Sequence, residues 1–342
     1  MSESAKPLTF EPVDQLTEMV GDALSGTGTF SDTGTACQGI KRVLIERMEQ
    51  ARVAGQIYWE RDEVVDRPVD IDGLTGKVRY IPTFAYRRTV YDQRPACQCP
   101  LCGTLETNNQ IATLPSDIDD TGFMDKFKGS FAISLNNFPY LDGQMLLASR
   151  QHAELFTDDQ TRLLFDFMAH SGFAGAAMQL EGSGATIPEH AHISIFDEAL
   201  PIFSSDYRPL KEDDGVVVAA SAEHPSVCYK VHGDSMDARF EQTAAITREL
   251  QTRGLSFNFY LDSQANAYII PRTNRRSATM NMKVGLSLPA GIHNGYVEHS
   301  ISTDIEQLKR EIWQHCQAIT SKQLATALQE TTVQGEDPAA IL

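Results

Sequence analysis

Residues 184–196 read GATIPEHAHISIF, and this stretch decides how the rest of the chain is read. It reads as a β-strand, in which successive side chains point to opposite faces. His190, His192 and Ser194 then share one face, and Ala191, Ile193 and Ile195 share the other. The second face is apolar and suits packing against a helix. The first gathers polar groups only. Two jobs fit such a face: metal ligation, and nucleophilic or acid–base chemistry near neutral pH. The plainer reading is the polar edge of an ordinary half-buried strand, since an isolated H-x-H recurs by accident.

Working outward, 126–151, KFKGSFAISLNNFPYLDGQMLLASRQ, reads as two strands around the turn YLDG. The segment 157–180, TDDQTRLLFDFMAHSGFAGAAMQL, reads as a helix, with Thr157 as its N-cap and Gln160 completing a capping box. Helical spacing also recurs at 13–24 and 38–53, on either side of a Gly/Ser/Thr loop. Residues 56–95 read as short strands and turns. Downstream, GVVVAAS and SVCYKVHG read as strands, 235–253 as a helix, 255–272 as a hairpin around 262–266, and 304–319 as a last helix. The order strands, helix, strand thus occurs near 128–200 and again near 215–320. This order predicts an α+β fold, an antiparallel sheet with helices on one face, rather than a doubly wound parallel sheet.

Composition narrows the function. The chain has 342 residues, 42% hydrophobic and 22% charged, with a net charge of −17. A pI near 4.9 argues against non-specific nucleic-acid binding, which needs a basic face. No apolar run reaches the length of a membrane span. The start, MSESAKPLTF, lacks the basic and apolar regions of a signal peptide, so a cytoplasmic enzyme is expected. Six cysteines in a chain this long are no disulfide framework. No GxGxxG or GxxxxGK[ST] loop is present, so the usual glycine-rich phosphate cradles are missing.

The run CQCPLC at 97–102 places Cys99 and Cys102 in a C-x-x-C knuckle, half of a tetrahedral zinc site. Pro100 stiffens that turn, and Cys97 is a competing ligand. No second C-x-x-C exists, so histidine is the natural supplier of the remaining ligands. His152 follows a predicted strand, and His190 opens the H-x-H. A redox pair is the other reading of the cysteines, but no thioredoxin-like βαβ context surrounds them.

Taken together, CPLC, NNFPYLDGQMLLASRQH and GATIPEHAHIS resemble the galactose-1-phosphate uridylyltransferase branch of the histidine-triad superfamily. That branch includes the diadenosine tetraphosphate and GDP-hexose phosphorylases. The resemblance covers about residues 95–200 and extends more weakly to NFYLDSQANAYIIPR and GIHNGYVEH. It implies a HIT-like fold with two halves in one chain: 1–94 unassigned, 95–210 the first half, 211–342 the second. It implies a nucleotidyltransferase or phosphorylase, with His192 as the nucleophile that takes up the nucleotidyl group. A structural zinc would be held by Cys99, Cys102, His152 and His190. Asn137 would lie near the nucleotide, and the loop with Ser183, Gly184 and Thr186 against the transferred phosphate. A nucleotide or nucleotide sugar would be the donor, and phosphate or a sugar phosphate the acceptor. The relatives' habit of pairing across a two-fold axis points to a homodimer.

The chemistry suits these residue types. A neutral imidazole attacks phosphorus without prior deprotonation and forms a reactive phosphoramidate. Arginines must help neutralise the phosphate. Arg150, Arg272, Arg275 and Arg276 are candidates, and PRTNRR, following a predicted strand, is the better placed cluster. Two positions depart from the family pattern. Ser194 stands where the relatives have Gln, giving a shorter hydrogen-bond donor. Glu189 stands between the proline and the first histidine. These departures leave two alternatives open: a HIT-type nucleotide hydrolase, and a non-catalytic nucleotide-binding protein stapled by zinc.

Overall fold

The computed structural model describes residues 33–53, 57, 65–71, 74–80, 99, 101–102, 123–136, 139–180, 187–213, 215–221, 228–252 and 254–272. Helix α1 is Thr33–Val53, followed by a two-stranded hairpin of β1, Val65–Ile71, and β2, Leu74–Tyr80. Helix α2, Phe123–Ser130, leads into β3, Phe131–Leu135, and β4, Met145–Ser149. Helix α3, Asp158–Ser171, is followed by β5, Gly175–Gln179, and β6, His192–Phe196. Then come the short α4, Pro201–Ser204, and strands β7, Tyr207–Asp213, β8, Val216–Ser221, and β9, Tyr229–Gly233. Helix α5, Met236–Thr252, and the hairpin of β10, Ser256–Asp262, and β11, Ala267–Arg272, complete the described chain.

Nine strands form one sheet in the order β3-β4-β6-β5-β10-β11-β9-β8-β7. Every pairing in it is antiparallel, as the sequence predicts. Strands β3, β4, β5 and β6 enclose α3 in the chain, and β8, β9, β10 and β11 enclose α5. The two groups have the same spatial order, first-second-fourth-third, and meet where β5 pairs with β10.

Alternation sorts each strand's side chains between two cores. On one face Met145, Leu147, Ile193, Ile195, Phe257 and Phe259 pack with Phe127 of α2, Phe165 and Phe167 of α3, and Phe240 of α5. Leu44 of α1 joins that core. On the other face Ala177, Phe196, Tyr260, Tyr268 and Ile270 pack beneath Ile202 of α4. Mid-helix Lys41 of α1 also ties it to the segments beside the sheet: its Nζ donates to Gly172 O at 2.5 Å and to Asp197 Oδ1 at 2.7 Å.

Thr157 and Gln160 form the expected capping box, each side chain accepting from the other's backbone N–H. The helix does not run on to 180, however. It stops at Ser171, because Gly172 adopts φ 74°, a left-handed cap that glycine takes without penalty. The following GAAMQ becomes β5. Alanine has little intrinsic β preference, but a strand between β6 and β10 needs small residues here. A Cβ on Gly175 would lie 2.5 Å from Cε2 of Phe196. Strand β7, charged and mostly exposed, is a second element that the pattern did not announce. The predicted helices 13–24 and 304–319 lie outside the described residues.

Candidate metal centre and active site

The knuckle residues Cys99 and Leu101 are buried against Ala148 of β4, with Leu146 and Ile187 packed alongside. Within the knuckle the N–H of Cys102 donates to Cys99 Sγ at 3.5 Å. Ser149 N donates to Ala191 O at 2.9 Å, and Ala191 N donates to Ala153 O. These bonds carry the β4–β6 pairing past the strand ends and draw the segment of His152 beside that of His190.

The four ligand atoms of Cys99, Cys102, His152 and His190 all lie within 4.8 Å of one another. Nδ1 of His190 is 3.4 Å from Cys99 Sγ and 3.5 Å from Cys102 Sγ. Nδ1 of His152 is 3.2 Å from Cys102 Sγ. A tetrahedral ion with Zn–S near 2.3 Å and Zn–N near 2.0 Å would separate S and N by about 3.5 Å. The cluster can therefore hold a metal ion such as zinc.

The outer contact of His190 also fits a ligand. Its ring is 1% exposed, and its Nε2 lies 2.7 Å from Ser149 O. A carbonyl only accepts, so Nε2 carries the proton and Nδ1 turns its lone pair to the sulfurs. His190 precedes β6, which begins at His192. The shared strand face therefore holds for His192 and Ser194 but not for His190. The turn with Pro188 frees the His190 ring from the strand's alternation and points it at the knuckle.

The same logic fixes the tautomer of His192. Its Nδ1 lies 2.7 Å from His190 O, so Nδ1 donates and Nε2 is the unprotonated nitrogen. The ring is partly buried. Burial pushes its pKa below 6.5, with the backbone bond to His190 opposing and the neighbouring His190 adding to the fall. The neutral imidazole is thus the dominant form at pH 7.

Ser194, also buried, accepts a hydrogen bond from Gln144 Nε2 at 3.2 Å. Gln144, in the turn before β4, is a site-lining residue that sequence reasoning missed. Nothing in YLDGQ marks it, because its partner is 50 positions away. Arg150 is exposed at the end of β4. Arg272 ends β11. Asn137, Ser183, Gly184, Thr186, Arg275 and Arg276, the expected phosphate and nucleotide contacts, lie outside the described residues, as does Cys97.

A nine-stranded antiparallel sheet with flanking helices and a Cys/His cluster beside a histidine-bearing strand defines an α+β fold. Solved structures with this fold include yeast Ap4A phosphorylase Apa2. One structure of it superposes with a TM-score of 0.57 at 11% identity, covering 84% of this chain and 97% of its own. Its complex with Ap4A gives a TM-score of 0.54 at 11% identity, covering 80% of this chain and 94% of its own. Its complex with AMP gives 0.55 at 12% identity, covering 81% and 95%. No family model and no curated protein matches the chain by sequence. The resemblance read from the motifs is therefore met at the level of the fold. Among the described residues no helix is long and apolar enough to cross a membrane.

Proposed function

We propose that the chain is a nucleotidyltransferase or phosphorylase that works through a nucleotidyl–His192 intermediate. The observation that carries this reading is the fixed tautomer of His192, with Nδ1–H bound to His190 O and Nε2 unprotonated on a sheet face beside the cysteine–histidine cluster. In the first step the Nε2 lone pair attacks the α-phosphorus of the donor. An N–P bond forms, and the P–O bond to the leaving group breaks with its electron pair on oxygen. In the second step an oxygen of phosphate or a sugar phosphate attacks the same phosphorus, and the N–P electron pair returns to Nε2. The carbonyl of His190 holds the Nδ1 proton throughout and supports the positive charge that develops on the ring.

Cys99, Cys102, His152 and His190 would hold zinc. With every position filled by protein, the ion supplies rigidity rather than a reactive water. His190 would thereby anchor the backbone carbonyl that orients His192. Asn137 and the loop containing Ser183, Gly184 and Thr186 are proposed to meet the nucleotide and its phosphate, with Arg272, Arg275 and Arg276 as charge partners. The identical strand order of the two β-β-α-β-β groups supports two HIT-like halves, 95–210 and 211–342, joined through β5 and β10. The Ap4A and AMP complexes of the yeast enzyme support a dinucleoside polyphosphate as donor, with nucleotide sugars as the other class to test.

The test is intact mass spectrometry after rapid mixing with Ap4A or UDP-glucose. One nucleoside monophosphate should appear on the protein, acid-labile and alkali-stable. His192→Gly should abolish the adduct and turnover while leaving the melting temperature nearly unchanged. Turnover of a donor with no adduct at any time would show direct attack and defeat the covalent mechanism.

A further inference from the structure

We infer that Gln144 is a positioning residue that aims the Ser194 hydroxyl proton at the phosphoryl group on His192. The inference rests on the reading of His192 just given. Gln144 is 1% exposed. Its Oε1 accepts from Tyr140 N at 2.8 Å and Leu141 N at 3.3 Å. Backbone N–H groups can only donate, so the end facing them must be the oxygen. The other end is then the amide nitrogen, which can only donate, and it lies 3.2 Å from Ser194 Oγ. Ser194 is therefore held as an acceptor on that side, and its own proton must point elsewhere. Among the described residues no other partner takes that proton.

The placement gives the proton a use. Ser194 lies two residues along β6 from His192 on the same face, roughly 7 Å away at the strand's rise per residue. A serine side chain is short, and a freely rotating hydroxyl would spend its proton on any acceptor. With Gln144 filling one lone pair, the hydroxyl is pre-set as a donor away from Gln144. The carboxamide that relatives carry at position 194 is thus split here. Ser194 makes the contact, and Gln144, on the neighbouring strand's turn, sets its polarity. Gln144 also ties the 140–144 turn to β6 through hydrogen bonds at both ends of its side chain.

A turn staple with no part in orienting Ser194 would make the same two bonds to Tyr140 and Leu141, so the test must separate the roles. The probe is Ap4A with inorganic phosphate, with UDP-glucose run in parallel. The readouts are the single-turnover rate of His192 labelling, kcat and KM. Ser194→Ala should slow labelling by roughly 10- to 1,000-fold. Gln144→Met should lower kcat with KM little changed. In the Ser194→Ala background the same substitution should cost less than about two-fold more, because the two residues act as one unit. Gln144→Glu guards against a folding failure. It keeps an acceptor for both backbone N–H groups, which favour its charged form, but its second oxygen draws the Ser194 proton inward. At pH 8 it should label as slowly as Ser194→Ala with a melting temperature close to wild type. Additive losses in the double variant, or Gln144→Glu labelling as fast as wild type, would overturn the inference and leave the His192 reading intact. A wild-type protein that neither labels nor turns over with either donor would remove both.

Discussion

The contrast between His190→Ala and Cys102→Ser tests the metal centre most sharply, because the two ligands differ in what else they hold. His190 is buried and donates from Nε2 to Ser149 O at 2.7 Å. Removing its ring orphans a buried carbonyl, which costs about 1–3 kcal/mol even without metal. Cys102 is only half-buried, and Ser preserves its size, so the metal-free protein should lose less than about 1 kcal/mol. Both variants remove one of the four clustered ligands. At a free zinc concentration one hundred times Kd, wild type should gain about 2.7 kcal/mol. At about 1.4 °C per kcal/mol for a chain of this length that is a rise of roughly 4 °C in Tm. The assay is thermal unfolding with chelator and with zinc, alongside metal analysis. Wild type should hold about one zinc per chain and show the full rise. Cys102→Ser should lose the rise but match wild type in chelator. His190→Ala should lose the rise and melt lower in chelator as well. A His190→Ala protein that keeps stoichiometric zinc and the full rise would refute the ligand assignment.

Three further outcomes follow from the fold. Thr157→Ala removes the side chain that caps α3 at Gln160 N, and urea unfolding should show a loss of about 1 kcal/mol. Gly175→Ala would press a methyl group against the rings of Phe196 and Phe203, at 2.5 and 2.7 Å, so it should destabilise by about 1–3 kcal/mol; an unchanged urea midpoint would contradict the packing of β5. Burial raises Cys228 from 9.0 and Tyr229 from 10.0, each to about 12, and also raises Tyr207 and Tyr268. Above pH 9 the unfolded chain releases these protons while the folded chain keeps them. Stability measured by urea titration should therefore hold below pH 9 and fall as pH rises toward 12.

What the sequence determined by itself is what short spacings encode. The C-x-x-C of Cys99 and Cys102, the capping box of Thr157 and Gln160, the hairpin around 262–266 and the alternation of β6 each depend on residues a few positions apart. Their geometry follows from local backbone rules. The antiparallel character was legible for the same reason, since strands joined by short turns must run in opposite directions. Other features were settled only in three dimensions. Strand β5, GAAMQ, has a composition that fits a helix, and the ladder between β6 and β10 overrides it. His190 leaves the strand because its ring is claimed by the knuckle and by Ser149, partners at separations of 91, 88 and 41 positions. The bond from Gln144 to Ser194 has no local signature at all. These contacts exist because β4 and β6 lie side by side in the sheet, and no spacing along the chain records which strands become neighbours.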